Sequence, residues 1–226
     1  MNIISIIPAR GGSKGIPRKN IYSLQGKPLI CYTIEHALAS PDIDRVFVSS
    51  DDERILKISK SSGAETILRP TALAGDDTPL DDVINHVLEI LDAEKYQVDL
   101  IVLLQPTSPL RTGRTLKQAI SQFKKNINEF DSLMPLGETS SKIGTIEKQR
   151  FQPLYRPGIQ RQDLKKTYYD CGTVHIFKPD LIRTGRFFGD KIFGFPIAWP
   201  ESLDIDTMDE MQLADYHLSK KSHKKS

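Results

Sequence analysis

Immediately after the apolar run Ile3–Pro8, the chain reads Arg10-Gly11-Gly12-Ser13-Lys14-Gly15-Ile16-Pro17-Arg18-Lys19-Asn20. Glycines there let the backbone approach an anion closely and expose successive N–H groups. Arg10, Lys14 and Lys19 surround the same loop with positive charge. A triphosphate is the ligand that such a loop suits. A bare Gly-Gly pair would read as a tight turn with solvated basic side chains, but the clustered cations and the preceding strand favour an anion cradle. Neither Gly-x-x-x-x-Gly-Lys-Ser/Thr nor Gly-x-Gly-x-x-Gly occurs in the chain, so the cradle is of another kind.

Two further stretches carry chemistry. In Leu203-Asp204-Ile205-Asp206-Thr207 the two carboxylates alternate, so on an extended segment both point to one face. Paired carboxylates repel unless a cation lies beside them, and Mg²⁺ commonly binds through one or two carboxylates plus phosphate oxygens. An acidic turn capping the next helix is the plainer reading of the same residues. In Leu104-Gln105-Pro106-Thr107-Ser108-Pro109-Leu110-Arg111, Gln105 offers donor and acceptor groups for a base or sugar, and two prolines stiffen the turn.

The elements that must position these residues alternate in type. Ile3 to Pro8, Arg45 to Ser50 and Leu100 to Leu104 read as strands covered on both faces, the mark of a parallel sheet. Leu80, Val83, Ile84, Val87, Leu88 and Leu91 form a helical stripe, with Thr78 expected as N-cap and Pro79 at the first helical position. Helices are also expected from Leu29 to about Ala39, after Thr112, and near Thr207, where Glu210 completes a capping-box spacing. The pattern predicts an α/β fold with ligands beyond the carboxyl ends of the strands, in the loops after Ile7, Ser49 and Leu104. Periodicity fades between about 138 and 170, which reads as an inserted arm or oligomerisation element.

Composition sets bounds. With 31 basic and 29 acidic side chains, and much of the excess in the last residues from Lys220 on, the body is near neutral, which argues against a nucleic-acid partner. No segment has the apolar length to span a bilayer, and no basic region followed by a long apolar run marks a signal peptide. Two cysteines, Cys31 and Cys171, show neither disulfide nor metal spacing, which fits a cytoplasmic protein. One domain over 1–218, followed by a basic, frayed tail at 219–226, is the expected organisation.

The motifs Ala9 to Asn20, Leu68-Arg69-Pro70 with Leu73-Ala74, Leu104 to Arg111, and Asp204-Ile205-Asp206-Thr207, in that order, resemble the acylneuraminate (sialic acid) cytidylyltransferases over nearly the whole chain. The resemblance implies a Rossmann-like nucleotidyltransferase three-layer sandwich. It also implies a dimerisation extension at about 138–170 that completes the neighbour's sugar pocket in a homodimer. CTP and a nine-carbon keto sugar acid (sialic, legionaminic, pseudaminic or related) would be the substrates, on a route to surface polysaccharide. Arg10, Gly11, Gly12, Ser13, Lys14, Lys19, Asn20, Arg69, Asp77 and Thr78 would bind the nucleotide. Gln105, Arg161, Tyr169, Phe187 and Phe188 would bind the sugar, and Asp204 and Asp206 would hold Mg²⁺. Arg10, Lys14, Lys19 and Asp206 would be catalytic. The chain departs from the sialate pattern at Cys171-Gly172, where those enzymes often carry Asn-Gly. Activation of an eight-carbon keto acid, or nucleotide sensing without catalysis, are the rival readings.

Overall fold

A computed structural model of the chain describes residues 1–13 and 15–223, the last three as backbone; Lys14 lies outside the described residues. The chain opens with β1 (Ile3–Pro8), a small antiparallel pair β2 (Ser23–Leu24) and β3 (Lys27–Pro28), and α1 (Leu29–Leu38). It continues through β4 (Arg45–Ser50), α2 (Glu53–Ser61), β5 (Glu65–Leu68), α3 (Leu80–Ala93), β6 (Leu100–Leu103) and α4 (Gly113–Lys125). Then follow β7 (Ser132–Thr139), β8 (Gly144–Glu147), β9 (Arg150–Pro153), β10 (Thr167–Asp170), β11 (His175–Phe177), α5 (Pro179–Arg183), β12 (Ile192–Ile197) and α6 (Met208–His223).

One sheet runs β10-β7-β11-β6-β1-β4-β5, with β12 on β7. β6, β1, β4 and β5 are mutually parallel, and β11 is antiparallel to β6 and β7. The period-two pattern of β1 explains the layering. Ile3 and Ile7 face a core built with α1, α2 and α4, while Ile4 and Ile6 face one built with α3 and α5. The expected α/β sandwich is therefore what the chain forms. A third, smaller core joins Ile16, Leu24, Leu29, Leu110, Leu203, Ile205, Met211 and Ala214. It draws residues from the loop after β1, the loop after β6 and the segment before α6, and so ties three distant stretches of sequence together.

Local signals decide where the helices begin. Thr112 caps α4 by accepting from the Thr115 N–H at 3.2 Å, and Glu210 accepts from the N–H groups of Asp206 and Thr207, both at 2.8 Å. The expected Thr78 cap is corrected: Pro79 is extended (ψ 140°) and occupies the cap position, so α3 starts at Leu80. Its first turn is stabilised instead by Asp81 and Asp82 against the helix dipole. The chain end is also more ordered in form than a tail from 219 would be. The helix α6 continues to His223, with Lys220 lying 4.4 Å from the centre of the Tyr216 ring and the Ser219 hydroxyl donating to the Tyr216 carbonyl; 224–226 lie outside the described residues.

Between β7 and β10 the chain leaves the sandwich, and β8 and β9 form a separate two-stranded hairpin. Among the described residues no helix is long and apolar enough to cross a membrane. Both cysteines are free and buried. Phe123, fully buried among the α4 stripe, tests the layering. Phe123→Ala is expected to cost about 3–5 kcal/mol in urea unfolding, and a loss below about 1 kcal/mol would contradict its place in the core.

Candidate active site

Three segments meet beyond the carboxyl ends of β1, β5 and β6, and an open cavity there is lined by Arg10, Gly12, Ser13, Lys19, Asn20, Arg69, Asp76, Thr78, Gln105 and Thr107, among others. Two of the three loops to which the sequence pointed, those after β1 and β6, line the cavity; the loop after β4 does not, and the segment after β5 takes its place. Most of the residues expected at a nucleotide site line this cavity.

The loop after β1 is held from both sides. The Gly11 N–H donates to Asp51 Oδ1 at 2.9 Å, and a Cβ at Gly11 would press on the Asp52 side chain. Gly11 is thus required for close packing against the end of β4, and its N–H is engaged within the protein. Gly15 is required for a similar reason on the other side, because a Cβ there would run into the Asp206 carbonyl. Gly12 differs: it lines the cavity, with nothing within 4 Å of where a Cβ would stand. Arg18 then adopts a left-handed backbone (φ 54°) and leads into a short 3-10 turn, Lys19–Ile21. Such strained residues persist where surrounding contacts determine them. Here the turn aims Lys19 inward, and buried Asn20 donates through Nδ2 to the Arg10 carbonyl at 3.0 Å.

Lys19 links the loop to the acidic segment. Its ammonium donates to the Ile205 carbonyl at 2.7 Å and to Asp206 Oδ1 at 2.9 Å. The Ile205 N–H in turn donates to the Thr107 carbonyl at 3.0 Å, which fastens the same segment to the Gln105 loop. Asp204 sits beside this junction. Burial pushes its carboxyl above the usual carboxylate range; the Thr107 hydroxyl and Lys19 pull it down, while Asp206 and Glu210 push it further up. Thr107 approaches without full hydrogen-bond geometry, and Asp204 Oδ1 is buried with no hydrogen-bond partner among the described residues. A buried carboxylate oxygen left without a donor is what a hard cation would satisfy. Asp206 is 75 % exposed and could turn to the same ion. Among the described residues no group of three or more metal-ligating side chains occurs, so such an ion would need ligand or water oxygens as well.

Arg10 forms an ion pair with Asp76 across the cavity, and Asp77 is exposed and outside the lining. Arg69 is buried and braces the end of β4, with Nη2 on the Ser49 carbonyl at 2.8 Å and Nε on the Ser49 hydroxyl at 3.3 Å. Burial lowers its affinity for a proton; Asp51 opposes that and Arg10 adds to it. Gln105 is oriented through its backbone: the Thr33 hydroxyl donates to its carbonyl at 3.2 Å, and Arg111 Nη2 donates to that hydroxyl at 2.8 Å. Arg111, fully buried, also donates to the Thr173 carbonyl.

Of the residues expected at a sugar pocket, Gln105 lines this cavity and the other four do not. Phe187 and Phe188 stack edge-on with each other (4.6 Å) and both pack on the His175 ring. Tyr169 faces a different surface groove with Glu138 and Trp199. Arg161 lies in the arm, its guanidinium 3.4 Å from the Ser140 hydroxyl. Sequence reasoning passed over Asp51, Asp76, Thr107 and Arg111. Asp51 directly follows β4, one of the three strand ends the fold rule marks, so its position was a usable signal.

A sheet covered on both faces, with a basic glycine loop and an acidic segment converging where its parallel strands end, defines a nucleotide-binding α/β protein. More narrowly, the chain belongs to the cytidylyltransferase family, whose model matches residues 4–156. It is 34 % identical to the N-acylneuraminate cytidylyltransferase of Streptococcus agalactiae serotype III over 96 % of its length, but spans only 54 % of that relative. Against the pseudaminic acid cytidylyltransferase of Campylobacter jejuni (strain 81-176) it is 32 % identical, over 95 % of both chains. The fold is shared with a solved CMP:2-keto-3-deoxy-manno-octonic acid synthetase complexed with CTP (TM-score 0.73, 17 % identity, 98 % of this chain and 100 % of that one).

Gly12 separates ligand space from packing. Gly12→Ala should leave folding stability within about 0.5 kcal/mol, since the methyl meets nothing. Nucleoside triphosphate affinity, measured by calorimetric titration, should fall roughly tenfold or more, equivalent to about 1.4 kcal/mol. Unchanged affinity would mean that the phosphates do not occupy the space beside Gly12.

Proposed function

We infer that the chain transfers CMP from CTP to the anomeric hydroxyl of a nonulosonic acid and releases pyrophosphate. The observation that carries this reading is the Lys19 junction, which ties the carboxylate segment to the basic glycine loop that lines the cavity. The curated relatives, named for sialic and pseudaminic acids, support the substrate class.

On this reading the attacking oxygen forms a bond to the α-phosphorus as the bond to the β-phosphate oxygen breaks. Such transfers depend on positioning and on offsetting charge rather than on covalent chemistry by the protein. Arg10 and Lys19, which line the cavity, would offset charge on the phosphates, and Lys14, outside the described residues, is given the same role from the sequence alone. Exchange of Arg10 from Asp76 onto a phosphate would open the cavity as the nucleotide enters. Asn20 and Asp51 hold the loop in shape, and Ser13 and Thr78 offer hydroxyls on its walls. Asp204 and Asp206 fit a Mg²⁺ ion, which when bound would neutralise phosphate charge in the transition state. Gln105 fits the border between nucleotide and sugar.

The arm fits a homodimer with shared sites. Its Ile146, Phe151 and Leu154 are 74 %, 52 % and 69 % exposed, an apolar surface that a second copy would cover. Arg161 and Tyr169 do not line the cavity of their own chain, so a sugar-binding role for them requires the neighbour's. A cytoplasmic setting suits a reaction that consumes CTP.

The reading is tested by pyrophosphate release. Release should require CTP, Mg²⁺ and one of a panel of sialic, legionaminic and pseudaminic acids, and Asp206→Asn should lower kcat by roughly 100- to 1,000-fold and weaken its dependence on Mg²⁺. CTP binding without release on any sugar acid would favour a nucleotide sensor, and release only with an eight-carbon keto acid would move the substrate class.

A further inference from the structure

A buried histidine and the half-exposed carboxylate beside it form a pair that none of the roles above uses. β10 and β11 follow one another along the same edge of β7 and are separated by a kink at 171–174, where Gly172 turns through a left-handed φ of 67°. The last residue of β10 is Asp170 and the first of β11 is His175. The His175 ring is only 3 % exposed, and its Nε2 lies 3.0 Å from both Oδ1 and Oδ2 of Asp170. The Gly172 N–H donates to the same Oδ1 at 3.0 Å. The ring's other nitrogen, Nδ1, is buried with no partner among the described residues.

One contact sets the pair beside the acidic segment and the Gln105 loop, and two further features fix its surroundings. A Cβ at Gly172 would stand 3.4 Å from Asp204 Oδ2 and 3.6 Å from Gln105 Nε2, so the kink sits between the acidic segment and the Gln105 loop. The rings of Phe187 and Phe188 lie 5.7 and 5.5 Å from the His175 ring and wall it on one side. The Asp170 side chain is 40 % exposed, so it is fixed from within yet open on one edge. Burial raises its carboxyl, but the hydrogen bond and charge of His175 and the Gly172 N–H outweigh this and hold it below the usual carboxylate range.

We propose that Asp170, oriented by His175, is the hydrogen-bond acceptor that selects the sugar acid by a hydroxyl or acylamino N–H remote from the sugar's carboxylate. The inference rests on the sugar-activating function inferred above. An ionised carboxylate accepts only, so it repels the substrate's acid group and rewards a neutral donor. Rejection of analogues lacking that donor follows, because they would displace water from the open edge of the carboxylate without returning a hydrogen bond to it. His175 is a positioning residue: it acts through Asp170 and needs no contact with the sugar.

The experiment is steady-state pyrophosphate release by the full chain, varying the nonulosonic acid that the unmodified protein uses best and analogues of it each lacking one hydroxyl or the acylamino group. The unmodified protein should discriminate roughly a hundredfold or more in kcat/KM against one such analogue. In Asp170→Asn, nearly isosteric, the sugar KM should rise tenfold or more, the CTP KM should stay within twofold, and that discrimination should collapse. His175→Phe should raise the sugar KM in the same sense with the CTP KM again unchanged. Equal use of all the analogues by the unmodified protein overturns the proposal without any variant. So does retained discrimination in Asp170→Asn. Absence of turnover by the unmodified protein with every acid sinks the inferred function and this proposal together, and is told apart from the other two outcomes by that control alone.

Discussion

The site depends on one lysine. Lys19 reaches from the first loop to the segment before the last helix and holds both the Ile205 carbonyl and the Asp206 carboxylate. Asp206 is 75 % exposed, so this ion pair contributes at most about 1 kcal/mol to stability. Its importance is geometric. It fixes the distance between the cationic loop and the carboxylate pair, which on the proposed reading is the distance that a metal-bound triphosphate would span.

The surrounding structure is arranged to make that junction possible. Ile16, Leu203 and Ile205 share a small apolar core with Leu110 from the Gln105 loop, so the three motifs are packed together before any ligand arrives. Gly15 lets the first loop touch the Asp206 backbone, and the Ile205 N–H ties the segment to Thr107. Arg111, fully buried, bridges Thr33 and Thr173 and so links the Gln105 loop to the kink after β10. Preorganisation of this kind is what a charge-stabilising site requires, since donors that need not move are worth more than donors that must.

The cavity was legible in the sequence because its parts obey local rules. Buried strands announced the sheet, and glycines and cations marked the loop at β1. What was not legible depends on contacts between distant residues. Nothing local distinguishes Asp76, which meets Arg10, from the adjacent Asp77. The use of Gly11 for packing on Asp52 could not be told from a use of its N–H for phosphate. The α3 start was misplaced by one residue because Pro79 took the cap position with an extended ψ. The arm defeated periodicity altogether, since β8 and β9 pair only with each other and present their side chains to solvent.

If Lys19 and Asp206 act as one unit, their removal cannot have independent effects. A double-mutant cycle on kcat/KM for CTP, using Lys19→Met, Asp206→Asn and the double variant, measures this directly. The account predicts strong non-additivity, with the double variant no more than a few-fold worse than the poorer single one. Losses that multiply, so that the two substitutions behave as separate sites, would contradict it.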